Sequence, residues 1–174
     1  MKDLKLIAIS AVSIDGFIGI DNEIPWHIPE DFIHYKNSTM DNVVIVGKNT
    51  FLTLPKKAIR YRKSLVLNGG FYFENKNPDV FQFAKFSNLE LFICNHPELF
   101  LNKKFFVAGG AMVYETLIDY CDEAIITWVN KTIPNGNKRF PIDKLFTNFE
   151  ACDEQDWQFS YSGEQYKITR YIKL

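Results

Sequence analysis

Asp31 is the side chain around which chemistry can gather. It follows Ile24-Pro25-Trp26-His27-Ile28-Pro29-Glu30 and leads into Phe32-Ile33-His34-Tyr35-Lys36. Pro29 suits the first position of a helix, where its missing N–H costs nothing and its fixed φ already matches. Asp31 then falls in the first turn, where the helix dipole favours negative charge. Tyr35 lies four residues on, so carboxylate and ring share one face. An acid beside an aromatic wall can bind a flat heterocycle that is cationic or bears an amide. Taken alone, an acid at a helix start usually just complements the dipole.

Two further segments share one design, an apolar strand followed by glycine and a helix start. They are Val43-Val44-Ile45-Val46-Gly47-Lys48-Asn49-Thr50-Phe51 and Phe105-Phe106-Val107-Ala108-Gly109-Gly110-Ala111-Met112-Val113-Tyr114. Each would present free backbone N–H groups and the positive end of a dipole, an anion site. Gly109-Gly110 allows close backbone approach. Lys48 and Thr50 add a cation and a hydroxyl, and two such sites could grip the linked phosphates of a dinucleotide. Neither matches a GxGxxG or P-loop pattern, and a glycine turn without a ligand is common.

Lys56, Lys57, Arg60, Arg62 and Lys63 form a basic cluster. Such runs are usually solvated, but one arginine could fork onto a substrate carboxylate. Thr127, in a strand, could hydrogen-bond a buried acid. His27, His34 and His96 have no metal spacing and suit surface or helix-flank positions. No Ser/His/Asp or Cys/His arrangement stands out.

The elements that must position these residues alternate. Leu4–Val12, Asn42–Val46, Ser64–Leu67, Lys104–Ala108 and Glu123–Val129 read as strands. Phe32–Ser38 continues the first helix, and Lys48–Leu54 and Met112–Asp119 also read as helix. Phe81–Ala84 reads as a weak strand, and the stretch around Glu90–Leu99 as helix or loop. Trp157–Tyr161 and Tyr166–Ile172 suggest a terminal hairpin around Ser162-Gly163. This order favours an α/β fold with a mostly parallel sheet, finished by antiparallel strands. Ser13–Glu23 is a long connection with turn signals and reads as a mobile lid. A chain of 174 residues with no internal linker fits one domain, 1–174. Its net charge of −1 argues against a nucleic-acid footprint. Three widely spaced cysteines, Cys94, Cys121 and Cys152, suit free thiols in a reducing compartment. The start, Met1-Lys2-Asp3-Leu4-Lys5, leads into a run too short and polar for a signal peptide, and no segment is long enough to span a membrane. A soluble, cytoplasmic protein is expected.

Together these segments resemble dihydrofolate reductase. The resemblance rests on Ile18-Gly19, Pro25-Trp26-His27-Ile28-Pro29-Glu30-Asp31, Val46-Gly47-Lys48-Asn49-Thr50-Phe51, Arg62-Lys63, Gly109-Gly110-Ala111 with Tyr114-Glu115, Thr127 and Phe140-Pro141. It covers nearly the whole chain, in the family's order. It implies an eight-stranded sheet flanked by four helices, and NADPH-dependent reduction of 7,8-dihydrofolate to tetrahydrofolate. By resemblance, Asp31 pairs with the pterin, Trp26 helps hold an ordered water and Thr127 bonds the acid. Ile9, Ser10, Phe32, Tyr35, Leu54, Ile59 and Ala108 would line the substrate pocket, and Arg62 would fork onto the glutamate α-carboxylate. Ala11, Ile18, Gly19 and Asn22 would border the nicotinamide, which Tyr114 approaches. Gly47, Lys48, Asn49 and Thr50 would face the phosphates with Gly109, Gly110, Ala111, Met112 and Val113. Leu67, Asn68 and Gly69 would lie near the adenosine. No metal is implied, and the expected partners are dihydrofolate and antifolates, bound by a monomer. Several positions depart from the family. Lys48 stands where arginine is commoner, Asn68-Gly69 replaces a serine or threonine pair, Ala108 replaces a larger aliphatic, and Gly136-Asn137 replaces Gly-Asp. The rivals are a reductase of a riboflavin-pathway pyrimidine and a non-catalytic protein of the same fold.

Overall fold

The computed structural model describes residues 4–174; the Met1-Lys2-Asp3 start lies outside the described residues. The first half of the chain contains β1 (Leu6–Ser13), β2 (Phe17–Gly19), α1 (Pro29–Thr39), β3 (Val43–Gly47), α2 (Lys48–Thr53) and α3 (Lys56–Ile59). β4 (Lys63–Leu67), β5 (Val80–Phe83), α4 (Phe86–Asn95), β6 (Phe105–Val107) and α5 (Ala111–Leu117) follow. The last part contains β7 (Glu123–Val129), β8 (Lys138–Arg139), α6 (Ile142–Asn148), β9 (Phe149–Glu154), β10 (Gln158–Phe159) and β11 (Gln165–Lys173).

One path of eight strands runs β10-β11-β7-β1-β6-β3-β4-β5, and β9 joins as a ninth strand beside β11. The six strands from β7 to β5 are parallel, and β11 closes the sheet antiparallel to β7. β10 pairs with Gln165 and Tyr166 of β11, while β9 pairs with Thr169–Lys173, its register shifting between Arg170 and Tyr171. The parallel strands are apolar on both faces because helices cover both. Val43, Val44, Ile45 and Val46 are all buried, and their β-branched side chains fit a pleated, enclosed surface. The main core joins Leu6, Ala8, Val43, Ile45, Leu65, Phe105, Val107, Leu117 and Ile126.

The sheet contains a built-in opening. β1 pairs with β7 as far as Ser13, but with β6 only as far as Ala8. Beyond Ala8, β1 has a ladder partner on one side only. The chain leaves β6 at Ala108-Gly109-Gly110, so a cleft opens between that turn and the far half of β1. Crevices at strand ends, where neighbouring strands part, are where open α/β sheets bind ligands.

Ser13–Glu23 is held in place in this structure. β2 pairs antiparallel with β8. The Ser13 hydroxyl donates to Asp15 at 2.5 Å, and the other Asp15 oxygen accepts the Ile133 N–H at 2.9 Å. The Asn137 side chain grips Asp21 twice, accepting its N–H and donating to its carboxylate, each at 2.7 Å. Asn137 therefore needs both a donor and an acceptor, which an amide has and a carboxylate lacks.

Candidate active site

Pro29 opens α1, with Glu30 and Asp31 in the first turn and Lys36 in the last. Asp31 Oδ1 accepts the Thr127 hydroxyl from β7 at 2.6 Å. Burial pushes the Asp31 carboxyl above its ordinary value, and the Thr127 bond only partly opposes this. The acid therefore tends to hold a proton that an exposed aspartate would lose. Glu30, its neighbour, turns the other way. It accepts the Ser160 hydroxyl at 2.6 Å and the Tyr161 N–H at 2.9 Å, bonds that hold it below the usual carboxylate range. One acid is thus tied to the β10–β11 hairpin and the other points into the fold beside β7.

The apolar wall forms from the predicted residues. Ile9 packs with Ile7 and Phe106, and Tyr35, Ala108 and Ile125 pack against them. Ala108 also touches the cluster of Val44, Val46, Phe51 and Val66, together with Ile59. Trp26 is buried with Ile28, Val129, Ile133 and Tyr166, and Ala11 packs against this group. Ala11 pairs with Thr127 across the β1–β7 ladder, which places it beside the acid's partner. Ser10 donates to the Ala11 carbonyl, and Leu54 is half-buried at the end of α2. Phe32 remains 54% exposed, near the His27 ring at 5.9 Å.

Arg62 is only 4% exposed. Its Nε donates to Thr39 Oγ1 at 2.7 Å, and its terminal nitrogens donate to the carbonyls of Arg60 and Lys36 at 2.7 and 3.1 Å. The guanidinium lies over the Tyr35 ring, 5.7 Å from its centroid. Three of its five N–H groups are thereby engaged, and the fork is held rigid against the wall. The rest of the basic cluster behaves differently: Lys63 pairs with Asp79 at 2.8 Å and Arg60 stacks on Tyr61.

The two glycine turns meet. The Gly47 N–H donates to the Gly109 carbonyl at 2.8 Å, joining the β3 end to the β6 end. A Cβ on Gly110 would come within 2.9 Å of Thr50 Oγ1, and one on Gly47 within 3.2 Å of Val113. Gly109 adopts φ +104°, a conformation that favours glycine. Ala111 opens α5, with Met112 82% exposed and Val113 buried. The Tyr114 hydroxyl crosses to the Ile9 carbonyl at 2.6 Å, on the half of β1 that β6 no longer reaches. Thr127 lies on β7 and Gly109 just past the end of β6, the strands flanking β1, so the acid's partner and the glycine turn are about two strand spacings, or about 10 Å, apart.

Lys48 is anchored. Its ammonium donates to the Phe71 carbonyl at 2.8 Å and lies 6.0 Å from the Phe71 ring centroid. Asn49 is exposed beside it. Asn68 is buried and structural: its amide donates to Gln82 and accepts the Gly70 N–H, shaping the Gly69-Gly70 turn. Leu67 packs on the main core. The Asn68 side chain thus turns into the fold, while Gly69 stays exposed. Ile18 and Gly19 lie on β2, and Asn22 is exposed in the following turn.

The sequence reading gave His34 only a surface or helix-flank place, and the residue is half-buried on α1. Its Nε2 is buried and has no hydrogen-bond partner among the described residues. Burial lowers its affinity for a proton, while the Asp31 charge raises it. The spacing from Asp31, three residues along a helix, was the available signal. Phe71 and Gln82 escaped that reading, because their parts depend on loop pairing that leaves no local pattern. Among the described residues no helix is long and apolar enough to cross a membrane, and no cluster of His, Cys, Asp or Glu could hold a metal. The three cysteines are free.

A half-buried acid on one side of a cleft and a glycine-lined helix start on the other are set on a small α/β fold. The family model for dihydrofolate reductase matches residues 5–172, and the chain belongs to that family. It is 31% identical over 160 residues to the dihydrofolate reductase of Mycoplasma genitalium, covering 90% of this chain and 96% of that one. The dihydrofolate reductase of Bacillus subtilis is 30% identical over 157 residues, covering 90% and 82%. That of Neisseria meningitidis serogroup B is 28% identical over 171 residues, covering 98% and 99%.

Proposed function

We propose that this chain reduces 7,8-dihydrofolate to 5,6,7,8-tetrahydrofolate with NADPH, hydride reaching C6 and a proton reaching N5, and so supplies one-carbon and thymidylate metabolism. The observation that carries the reading is Asp31, half-buried, fixed by Thr127 and inclined to keep its proton. Such an acid can pair with the 2-amino and N3 groups of a pterin, polarise the ring and favour protonation at N5. Ile9, Tyr35, Ala108, Leu54 and Ile59 would enclose the ring system. Trp26 would help position the water that delivers the proton. Arg62, with two N–H groups to offer, would fork onto the glutamate α-carboxylate.

The residues fit a dinucleotide. Side chains are absent where Thr50 and Val113 crowd Gly110 and Gly47, so backbone can approach phosphate there. Lys48 supplies a cation and Thr50 a hydroxyl at the same turn. When bound, the reduced nicotinamide supplies the hydride; Ala11, Ile18 and Gly19 would border its ring and exclude water.

The test is NADPH oxidation followed spectrophotometrically with dihydrofolate, and its suppression by an antifolate. Asp31→Asn should lower kcat/KM for dihydrofolate near neutral pH at least 100-fold while NADPH binding, read by fluorescence, survives. Turnover unchanged in that variant would remove Asp31 from the chemistry.

A further inference from the structure

α1 starts without a side-chain cap. Its N-cap residue, Ile28, is apolar, and the Asp31 and Phe32 N–H groups turn back to the Ile28 carbonyl at 3.0 and 3.4 Å. The helix start is gripped from outside instead. Glu30 commits both carboxylate oxygens to one distant turn, accepting the Ser160 hydroxyl at 2.6 Å and the Tyr161 N–H at 2.9 Å. Ser162, in the same turn, donates to the His27 carbonyl on the other side of Ile28-Pro29. Ser160 is buried, and the Ser162 N–H also donates to its hydroxyl. We propose that Glu30 is a positioning residue: its bonds to the Ser160–Ser162 turn fix the place and roll of α1, and so where the Asp31 carboxyl meets the substrate ring. This rests on the reductase reading above.

The turn is a firm post. The Ser160 N–H donates to the Glu164 carbonyl at 2.8 Å and the Gly163 N–H to the Ser160 carbonyl at 2.9 Å, closing the β10–β11 hairpin. Phe159 of β10 pairs with Gln165 of β11, and Ile168 of β11 pairs with Thr127 of β7. Ser160 and Thr127 therefore stand on one continuous ladder. Consecutive helical residues point about 100° apart, so Glu30 and Asp31 reach that ladder from two directions. Held by the Asp31–Thr127 bond alone, the helix start is free to roll about a single contact; the Glu30 bonds remove that freedom. Arg62 secures the other end of α1, donating to the Lys36 carbonyl and to Thr39 Oγ1. The acid thus sits one residue from the nearer of two pins, and a misplacement of about 1 Å at a reacting group costs about 100-fold in rate. The rival is an acid in the first turn that only complements the helix dipole. The dipole needs the charge of Glu30, whereas the latch needs its hydrogen-bonding atoms.

The test is turnover of dihydrofolate with NADPH in the wild-type enzyme, Glu30→Gln, Glu30→Ala, Ser160→Ala and the Glu30→Ala/Ser160→Ala double variant, with melting temperatures read in parallel. Glu30→Ala should lower kcat/KM for dihydrofolate by about 10-fold, with the Kd for NADPH, read by fluorescence, unchanged. Glu30→Gln has no charge, but its amide accepts the Tyr161 N–H and donates to the Ser160 oxygen, so it should stay within about 2-fold of wild type. Ser160→Ala should lose part of the same factor, and the double variant no more than Glu30→Ala alone, because both changes break one latch. An arm independent of turnover follows the Thr127 methyl by NMR: its signal should move in Glu30→Ala and Ser160→Ala and hold in Glu30→Gln. Glu30→Gln as impaired as Glu30→Ala, or Ser160→Ala identical to wild type, overturns the latch. So does a lower melting temperature with kcat/KM and the Thr127 signal intact. Should Glu30→Ala not fold, Ser160→Ala set against Glu30→Gln decides. A wild-type protein that fails to reduce dihydrofolate overturns the reductase reading instead, and the NMR arm alone then decides the latch.

Discussion

Asp31, the acid proposed to act on the pterin, sits at a cost to the fold. Burial raises its pKa above the unfolded value, so folding is undisturbed below the unfolded pKa and loses stability as pH rises through the folded one. Asp31→Asn removes the charge but keeps an oxygen for the Thr127 hydroxyl. The variant should therefore melt higher than wild type at pH 7–8, by about 2–4 °C or about 1 kcal/mol. The gain should vanish near pH 4 in the same calorimetric series. Higher melting of the variant would show that the fold gives up stability to keep this carboxyl. The acid's place in the first turn of α1 was legible because cap chemistry is local; its pairing with Thr127, 96 positions on, came only from the family resemblance. The basic cluster offered several arginines for a fork and the resemblance named Arg62, but its burial was not legible: its carbonyl partners at Lys36 and Arg60 carry no sequence signature.

At the scale of elements, legibility followed burial and periodicity. β7 occupies the expected Glu123–Val129, a run enclosed on both faces, and β3 begins within a residue of its expected start. The weak region after β5 became a clear helix, α4, followed by a 3₁₀ turn at Pro97–Phe100. Leu89 and Ile93, one turn apart, supply its buried stripe. β2, β8, α6 and β9 went unread. β2 and β8 have three and two residues and exist only by pairing with each other. The link between them rests on the Asn137 amide, which grips Asp21 across 116 positions of chain. Asn137→Asp would delete the donor and set two carboxylates face to face. The expected result is faster limited proteolysis within residues 13–23, by about 5-fold or more, equivalent to about 1 kcal/mol of local opening. Cleavage at the wild-type rate would mean that the β2–β8 ladder suffices without the amide.

At the scale of the whole molecule, the shortest inner strand ties the two halves of the sheet together. Phe105 of β6 pairs with Leu6 on one side and Val43 on the other, fully enclosed. Phe105→Ala should cost about 3–5 kcal/mol in denaturant titration, with m unchanged if unfolding stays two-state. A loss below about 1 kcal/mol would mean that the neighbouring rings of Phe100 and Phe92 collapse into the space. The opposite rim of the sheet carries a different consequence. Along the outer edge of β11, β10 covers Gln165 and Tyr166 and β9 covers Thr169–Lys173, the β9 ladder shifting register between Arg170 and Tyr171, with Glu150, Asp153 and Glu154 on the outer ribbon. A foreign strand arriving at that rim finds short, broken stretches of free backbone and a row of negative charges. Concentrated or partly unfolded molecules thus lack a long rail on which to stack into fibrils.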